Sequence, residues 1–447
     1  MFARPINVCH LGKYYPPAPG GIESHVRTLA LAQAALGARV RVVCVNHRDR
    51  EGRDVTWSRY GATKTVEEHD HDVHVTRLGR SACLARLDVI PGLFPMLSRI
   101  QYSNADIVHL HCPNPTMLVA LSCLRLNKPV VVTHHSDIVS QRFLVHAMRP
   151  LERIVYGRAA ALLASSEPYI DGSDVLRSHR DKVQTLPLGV ELSPFVSPSQ
   201  GALAAETKLR AEIGEGPLWL SVGRCVAYKG FHTGVDALRR TPGKWLIIGS
   251  GPMLEPLKLR AKELGVIDRL IFRGYVSDDE LAGAYRAATA LWFPSCMRSE
   301  GFGLVQVEAM ASGCPVINTR IFGSGVAWVS PHEQTGLTFE IGSADGLARA
   351  SKRLLDEPGL RDRFSAAARA RALAEFSAET MGQRSLEIYA RLLQRAQLGG
   401  RVIDAVPQVE TRLDSWVRNS SSRVYNSSGT VDVEQFDSEE QCAAAPR

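Results

Sequence analysis

Two glutamates, Glu300 and Glu308, stand eight positions apart in "SEGFGLVQVEAMASGCPV" (299 to 316), a stretch that is otherwise mostly small and apolar. Carboxylates accept hydrogen bonds from hydroxyl groups, so such a pair beside glycines can hold a polyol. With 46 acidic residues in the chain the bare spacing recurs by chance, and a solvated helix face explains it equally well. Two cations supply the other half of a chemistry. "SVGRCVAYKG" carries Arg224 and, five residues later, Lys229 before Gly230. Arginine presents a fork for two oxygens and lysine a compact point charge, so together they suit a diphosphate leaving group without a metal ion. Either residue alone reads as a surface cation. His134, His135, Ser136 and Asp137 follow the apolar run "PVVVT"; a lone histidine there is more often a structural hydrogen-bonder than a catalyst. "KYYPPAPGGIESHV" sets Gly20 and Gly21 ahead of a helix expected to start near Ile22, whose free N–H groups would face a negative charge. An ordinary Gly/Pro turn is the alternative.

These residues need a frame, and the chain supplies one. At 447 residues it exceeds one ordinary core and implies two domains of about 150 to 200 residues each, filled from 45% hydrophobic residues. Short apolar runs alternate with amphipathic stretches: "INVCHL", "RVRVVCVN", "ADIVHLHC", "PVVVTHHS", "AALLASS" and "VQTLPLGV". This is the rhythm of a parallel, doubly wound sheet whose strands are buried on both faces. "ELSPFVSPSQGALAAE" (191 to 206), rich in Ser and Pro, reads as a linker. The rhythm restarts with "PLWLSVGR", "KWLIIGSGP", "RLIFRGYV", "ALWFPS" and "PVINTR", and residues 343 to 397 follow a helical pattern. The remainder, 401–447, is polar and expected to be disordered. In open α/β sheets ligands bind beyond the carboxyl ends of the strands, where the residues singled out above fall.

Charge and cysteines narrow the partners. The net charge is +7, but Lys and Arg are dispersed and no nucleic-acid-binding signature is present, which leaves phosphorylated ligands or an anionic membrane surface. Nine scattered cysteines, with no C-x-x-C and no His/Cys cluster at metal spacing, predict a reducing cytoplasm and no metal. Neither a signal peptide nor a membrane-spanning run is expected.

Together "PPAPGGIESHV", "THHSDIV", "SVGRCVAYKG", "IGSGP" and "SEGFGLVQVEAMASGCPVINT" resemble the retaining glycosyltransferases of the GT-B fold, group 1 (family 4), over residues 5 to 395. The resemblance implies an α/β GT-B architecture of two Rossmann-like doubly wound domains facing a cleft. The acceptor-side domain would span 1–195 and the nucleotide-sugar domain 207–375, with a helix over 376–400 packing back on the first. It implies that Gly20 and Gly21 line the catalytic loop, that His135 contacts the transferred sugar and that Arg224 and Lys229 hold the diphosphate. Glu300 would face the sugar hydroxyls, Phe302, Gly303 and Leu304 would supply backbone donors, Glu308 would bind the ribose, and Arg273 and Val276 would meet the base. "FGSGVAWVSPHEQTGL" lacks the acidic residue that many relatives carry after their Gly-Gly step. Like "HSDIV", it is similar to exopolysaccharide and O-antigen mannosyltransferases instead.

The implied reaction moves a hexose from a nucleoside diphosphate sugar to a polyprenyl-diphosphate-linked oligosaccharide or other glycan, with retention. GDP-mannose is the expected donor, and UDP-glucose or a UDP-linked N-acetylhexosamine the alternative. No cofactor is expected, and the place of action is the cytoplasm at the inner membrane face. A glycoside hydrolase would use two carboxylates but not Arg224 and Lys229. A non-catalytic nucleotide-sugar-binding protein would not need Glu300 and Lys229 together.

Overall fold

A computed structural model describes residues 4–397 except 57, 85–86 and 138–141; of the helix Arg142–Arg158, side chains 142–147 are outside the description. The tail expected to be disordered, 401–447, and the last two residues of "HSDIV" also lie outside the described residues.

The first sheet has eight strands in the spatial order Val183–Thr185, Ala161–Ala164, Val130–His134, Ile107–Cys112, Asn7–Leu11, Arg39–Val45, Val73–Leu78 and Val66–Asp70. All neighbours are parallel except the last pair. The second sheet has six parallel strands, Leu270–Arg273, Lys244–Ile248, Leu218–Val222, Ala290–Phe293, Val316–Thr319 and Gly336–Phe339. The runs read as apolar strands are strands, and the central ones, such as Ile107–Cys112, are buried throughout. In each sheet the winding reverses beside the first strand, between Asn7–Leu11 and Ile107–Cys112 and between Leu218–Val222 and Ala290–Phe293. A crevice opens at such a reversal.

Two readings of the sequence need correction. The stretch 191 to 206 is not a plain linker: it contains the short helix Ser193–Val196 and the start of the helix Gln200–Ile213. Ser199 caps the latter, its hydroxyl accepting from the Ala202 amide at 2.9 Å, so the serine that suggested a loop opens a helix. The strands Val66–Asp70 and Val73–Leu78 in "VEEHDHDVHVTRL" were not anticipated. The former is an exposed edge strand, and its charged residues hide it from a search for apolar runs.

The chain passes between the sheets twice, and the crossings hold each other: Val190 N donates to Phe376 O and Ala378 N to Val190 O, both at 2.9 Å. After the second crossing the helix Ala378–Gln397 joins the core of the first sheet. Its Met381, Leu386, Ile388, Tyr389 and Leu392 are buried with Val8, Ile107, Val131 and Leu163. Beneath the second sheet, Trp219 and Trp292 stack 5.1 Å apart and Trp245 leans on Trp292 at 5.4 Å. Their indole N–H groups donate to Pro242 O, Ser351 Oγ and Ser221 Oγ, so this bulk is fixed in orientation.

Candidate active site

Two glycines bring the loops of the second crevice together. Gly230, after the turn Ala227–Lys229, has φ 66° and passes so close to Pro294 that a Cβ would lie 1.9 Å from its carbonyl oxygen. Gly303 has φ 79° and abuts the Phe293 ring, where a Cβ would lie 2.7 Å away. No larger residue fits either place without displacing the other loop. Cys296 N donates to Tyr228 O at 2.8 Å and ties the two segments.

Lys229 Nζ therefore meets Glu300 Oε2 at 2.5 Å, each side chain only 11% exposed. Ser295 Oγ donates to the same oxygen at 3.2 Å, and the ammonium stands 5.1 Å from the Phe293 ring centre. Arg224 is exposed on the same loop and, among the described residues, has no side-chain partner. The helix Leu304–Ala311 begins directly after Gly303; Gln306 N donates to Gly303 O at 2.9 Å, and the Leu304 and Val305 N–H groups precede that first hydrogen-bonded turn.

The loops after the first sheet's strands come to meet this group. Gly301 lies against Tyr169 and His135: a Cβ there would be 3.3 Å from the tyrosine ring and 3.8 Å from His135 O. Arg298 Nη1 bonds Asp137 Oδ2 at 2.5 Å across the cleft, and its guanidinium covers the Tyr169 ring at 4.8 Å. Burial would raise the Asp137 pKa, but the bond and charge of His134 and the charge of Arg298 outweigh it and hold the carboxyl well below its usual range. Gly325 N donates to Gly301 O at 2.9 Å, and Ser324 Oγ to Glu300 O at 2.5 Å. The variant "SGVAW" segment thus braces the loop that presents Glu300. Gly20 and Gly21 are exposed at the start of the helix Gly21–Ala35, one residue earlier than expected.

A family model for group 1 glycosyl transferases matches residues 206–371, and one for glycosyltransferase family 4 matches 19–194. The D-rhamnosyltransferase WbpZ of Pseudomonas aeruginosa is 33% identical over 308 residues, 69% of this chain and 78% of that one. The chain belongs to the group 1 glycosyltransferases. The O-antigen chain mannosyltransferase C of Escherichia coli is 27% identical over 87% of this chain and 99% of its own. Among solved structures, Anabaena Alr3699/HepE in complex with UDP and glucose superposes with a TM-score of 0.65, at 18% identity, over 86% of this chain and all of that one. Sucrose-phosphate synthase from Thermosynechococcus elongatus gives the same TM-score at 23% identity, over 87% of this chain and 99% of that one. The fold is GT-B.

The remaining candidates of this glycosyltransferase occupy varied positions. Glu308 is half-buried and accepts from Tyr285 OH at 2.7 Å. Burial raises its pKa above the ordinary glutamate value; the tyrosine bond opposes this and Asp278 adds to it. The Phe302 side chain is buried against Trp328 and Phe376, and its carbonyl accepts from Gln306 Nε2 at 2.9 Å. The Arg273 guanidinium pairs with Glu212, and its carbonyl accepts from Gly249 N at 2.8 Å. Val276 is half-buried just before the helix Asp278–Ala287.

Linear spacing had shown no histidine cluster, yet the glycosyltransferase assembles one. His10, His109, His111 and His135 come from three neighbouring strands and their ends, and His25 from the helix above. His10, His109 and His111 bring three ring nitrogens within 4.8 Å of one another, and so do His25, His111 and His135. The alternation in "IVHLHC", which puts His109 and His111 on one face of a strand, was the available signal.

The hydrogen bonds settle the tautomers. Ser385 Oγ donates to Gly382 O at 2.6 Å, so it accepts from Gln33 Nε2 at 2.8 Å, and this orients the amide. Gln33 Oε1 then accepts from His10 Nε2 at 2.8 Å. His10 Nδ1 accepts from His111 Nε2 at 3.0 Å, and His111 Nδ1 from His135 Nε2 at 3.1 Å. Burial keeps the rings neutral, with His10 pushed down to about 4 and His111 and His135 well below the usual value. A neutral ring carries one proton, so His135 Nδ1 is bare and can accept from a hydroxyl.

Proposed function

We propose that this glycosyltransferase moves a hexose, best read as mannose, from a nucleoside diphosphate sugar to a lipid-linked oligosaccharide or other glycan, with retention at the anomeric carbon. The contact between Lys229 and Glu300 carries this reading. A cation suited to a diphosphate touches a carboxylate suited to sugar hydroxyls, and Gly301, the neighbour of that carboxylate, faces the backbone of His135, whose imidazole has an accepting nitrogen. A donor seated there sets its diphosphate against Arg224, Lys229 and the first turn of Leu304–Ala311. As the glycosidic bond breaks, charge develops on the departing phosphate and these groups stabilise it. The acceptor hydroxyl enters on the same face and gives its proton to the leaving phosphate, so no enzyme nucleophile forms a bond. Glu308 holds the ribose, and the base meets the segment 273–276 through its backbone. Two cations, Arg224 and Lys229, serve the diphosphate, so magnesium or manganese is not required there.

GDP-mannose rests on the subfamily segments and on the mannosyltransferase relative. A nucleoside diphosphate D-rhamnose is the second reading, favoured by the rhamnosyltransferase relative. The test is product formation with a lipid-linked acceptor extract from labelled GDP-mannose, a D-rhamnose donor, UDP-glucose and UDP-N-acetylglucosamine. Transfer from GDP-mannose supports the reading. Transfer from a UDP-sugar alone overturns the mannose assignment, and transfer from none overturns the whole.

A further inference from the structure

The histidine cluster holds more nitrogen than its hydrogen bonds use. His25 is 3% exposed, and both its ring nitrogens are buried without a partner. A buried polar atom left unpaired costs about 1–3 kcal/mol, so a group with two of them calls for an explanation. Its ring lies 4.7 Å from that of His135 and 5.7 Å from that of His111. His111 Nδ1 and His135 Nε2 are 3.1 Å apart. Two nitrogens on one tetrahedral ion at about 2.0–2.1 Å each would stand about 3.3 Å apart, so the observed spacing needs almost no adjustment.

We propose that His25, His111 and His135 form a binding site for one divalent ion of borderline softness, of the zinc type, at the floor of the cleft. Imidazole nitrogens select zinc, cobalt, nickel or copper, whereas magnesium and manganese prefer oxygen. The outer shell is already in place. His111 Nε2 donates to His10, which donates to Gln33, and this chain leaves the lone pair of His111 Nδ1 on the side of the site. His135 moves its proton from Nε2 to Nδ1 and binds through Nε2, so three neutral rings take the ion with no net proton release. The neighbouring trio fits less well, because both His109 nitrogens are committed, to Thr133 Oγ1 at 2.7 Å and Tyr389 OH at 2.6 Å.

Occupancy has a consequence that rests on the proposed role of His135. Its Nδ1 changes from an acceptor to a donor, its ring is held by the ion, and zinc therefore inhibits transfer while chelation does not.

The test uses the full-length protein after dialysis against chelator, titrated with Co2+ and followed by visible absorption. Bands of a nitrogen-ligated tetrahedral ion should saturate at one equivalent, be bleached by Zn2+ and be unaffected by Mg2+. They should vanish in His25→Ala and, as a second variant at the half-exposed end of the site, in His135→Ala, each with its circular dichroism unchanged. Because His25 is buried, a raised Tm of the unaltered protein with Zn2+ but not Mg2+ is an independent readout. Absence of both the bands and the Tm shift in the unaltered protein overturns the site, as do bands retained in both variants. Metal binding without inhibition upholds the site and overturns the sugar-contacting role of His135. No metal binding, with transfer lost in His135→Ala, does the reverse.

Discussion

At the scale of single residues, Lys229 and Glu300 form one unit. Each is the other's partner in a mostly buried pair, so removing either leaves a charge uncompensated as well as losing a ligand contact. Lys229→Ala and Glu300→Gln should each lower the transfer rate by about a hundredfold or more, the scale of one main electrostatic contact to a transition state. The double variant should lose less than the product of the two, and additive losses would show that they act apart. Glu308 separates stability from function. Its folded pKa lies above the unfolded value, so the native state binds that proton more readily, and the stability this brings fades as pH rises from 4.5 through the folded pKa. Glu308→Gln keeps an acceptor for Tyr285 and removes a half-buried charge. Its Tm at pH 7.5 should equal or exceed that of the unaltered protein, while the donor KM rises by about tenfold or more for the weakened ribose bonds. An unchanged KM would remove Glu308 from the donor site. These residues were legible because each sits in a short contiguous motif. Their ion pair was not, since it depends on how closely Gly230 passes Pro294, 64 residues further along.

At the scale of elements, strands buried on both faces announce themselves as apolar runs, and the crevices follow from their order. An edge strand such as Val66–Asp70 escapes because its side chains meet water. The histidine network escapes because its members lie at positions 10, 25, 109, 111 and 135 and meet only through sheet register and helix packing. The helix Ala378–Gln397 anchors that network: Tyr389 OH bonds His109, and Ser385 accepts from Gln33. Leu386→Ala in its buried face should cost about 2–5 kcal/mol. Hydrogen exchange should then show reduced protection in Asn7–Leu11 and Ile107–Cys112; loss confined to the helix itself would show that it does not support the first sheet.

At the scale of the whole molecule, the charge is unevenly shared. Residues 1–200 hold 23 Lys and Arg against 17 Asp and Glu, together with 12 of the 14 histidines. Among the described residues no helix is long and apolar enough to cross a membrane. Surface attraction of this half to anionic lipid, at about 1 kcal/mol per basic residue near the surface, would bring a lipid-linked acceptor to the cleft. Flotation with anionic but not neutral liposomes, weakened by salt, is the expected result; binding to neither would remove the membrane contact. The central claim is that a GT-B cleft in which Arg224 and Lys229 serve the diphosphate transfers the sugar with its configuration kept and without a covalent enzyme intermediate. Proton NMR of the product formed from GDP-α-D-mannose in the presence of EDTA tests it most directly. The account predicts an α-mannoside at an undiminished rate, whereas a β-mannoside, or transfer only after magnesium or manganese is restored, would contradict it.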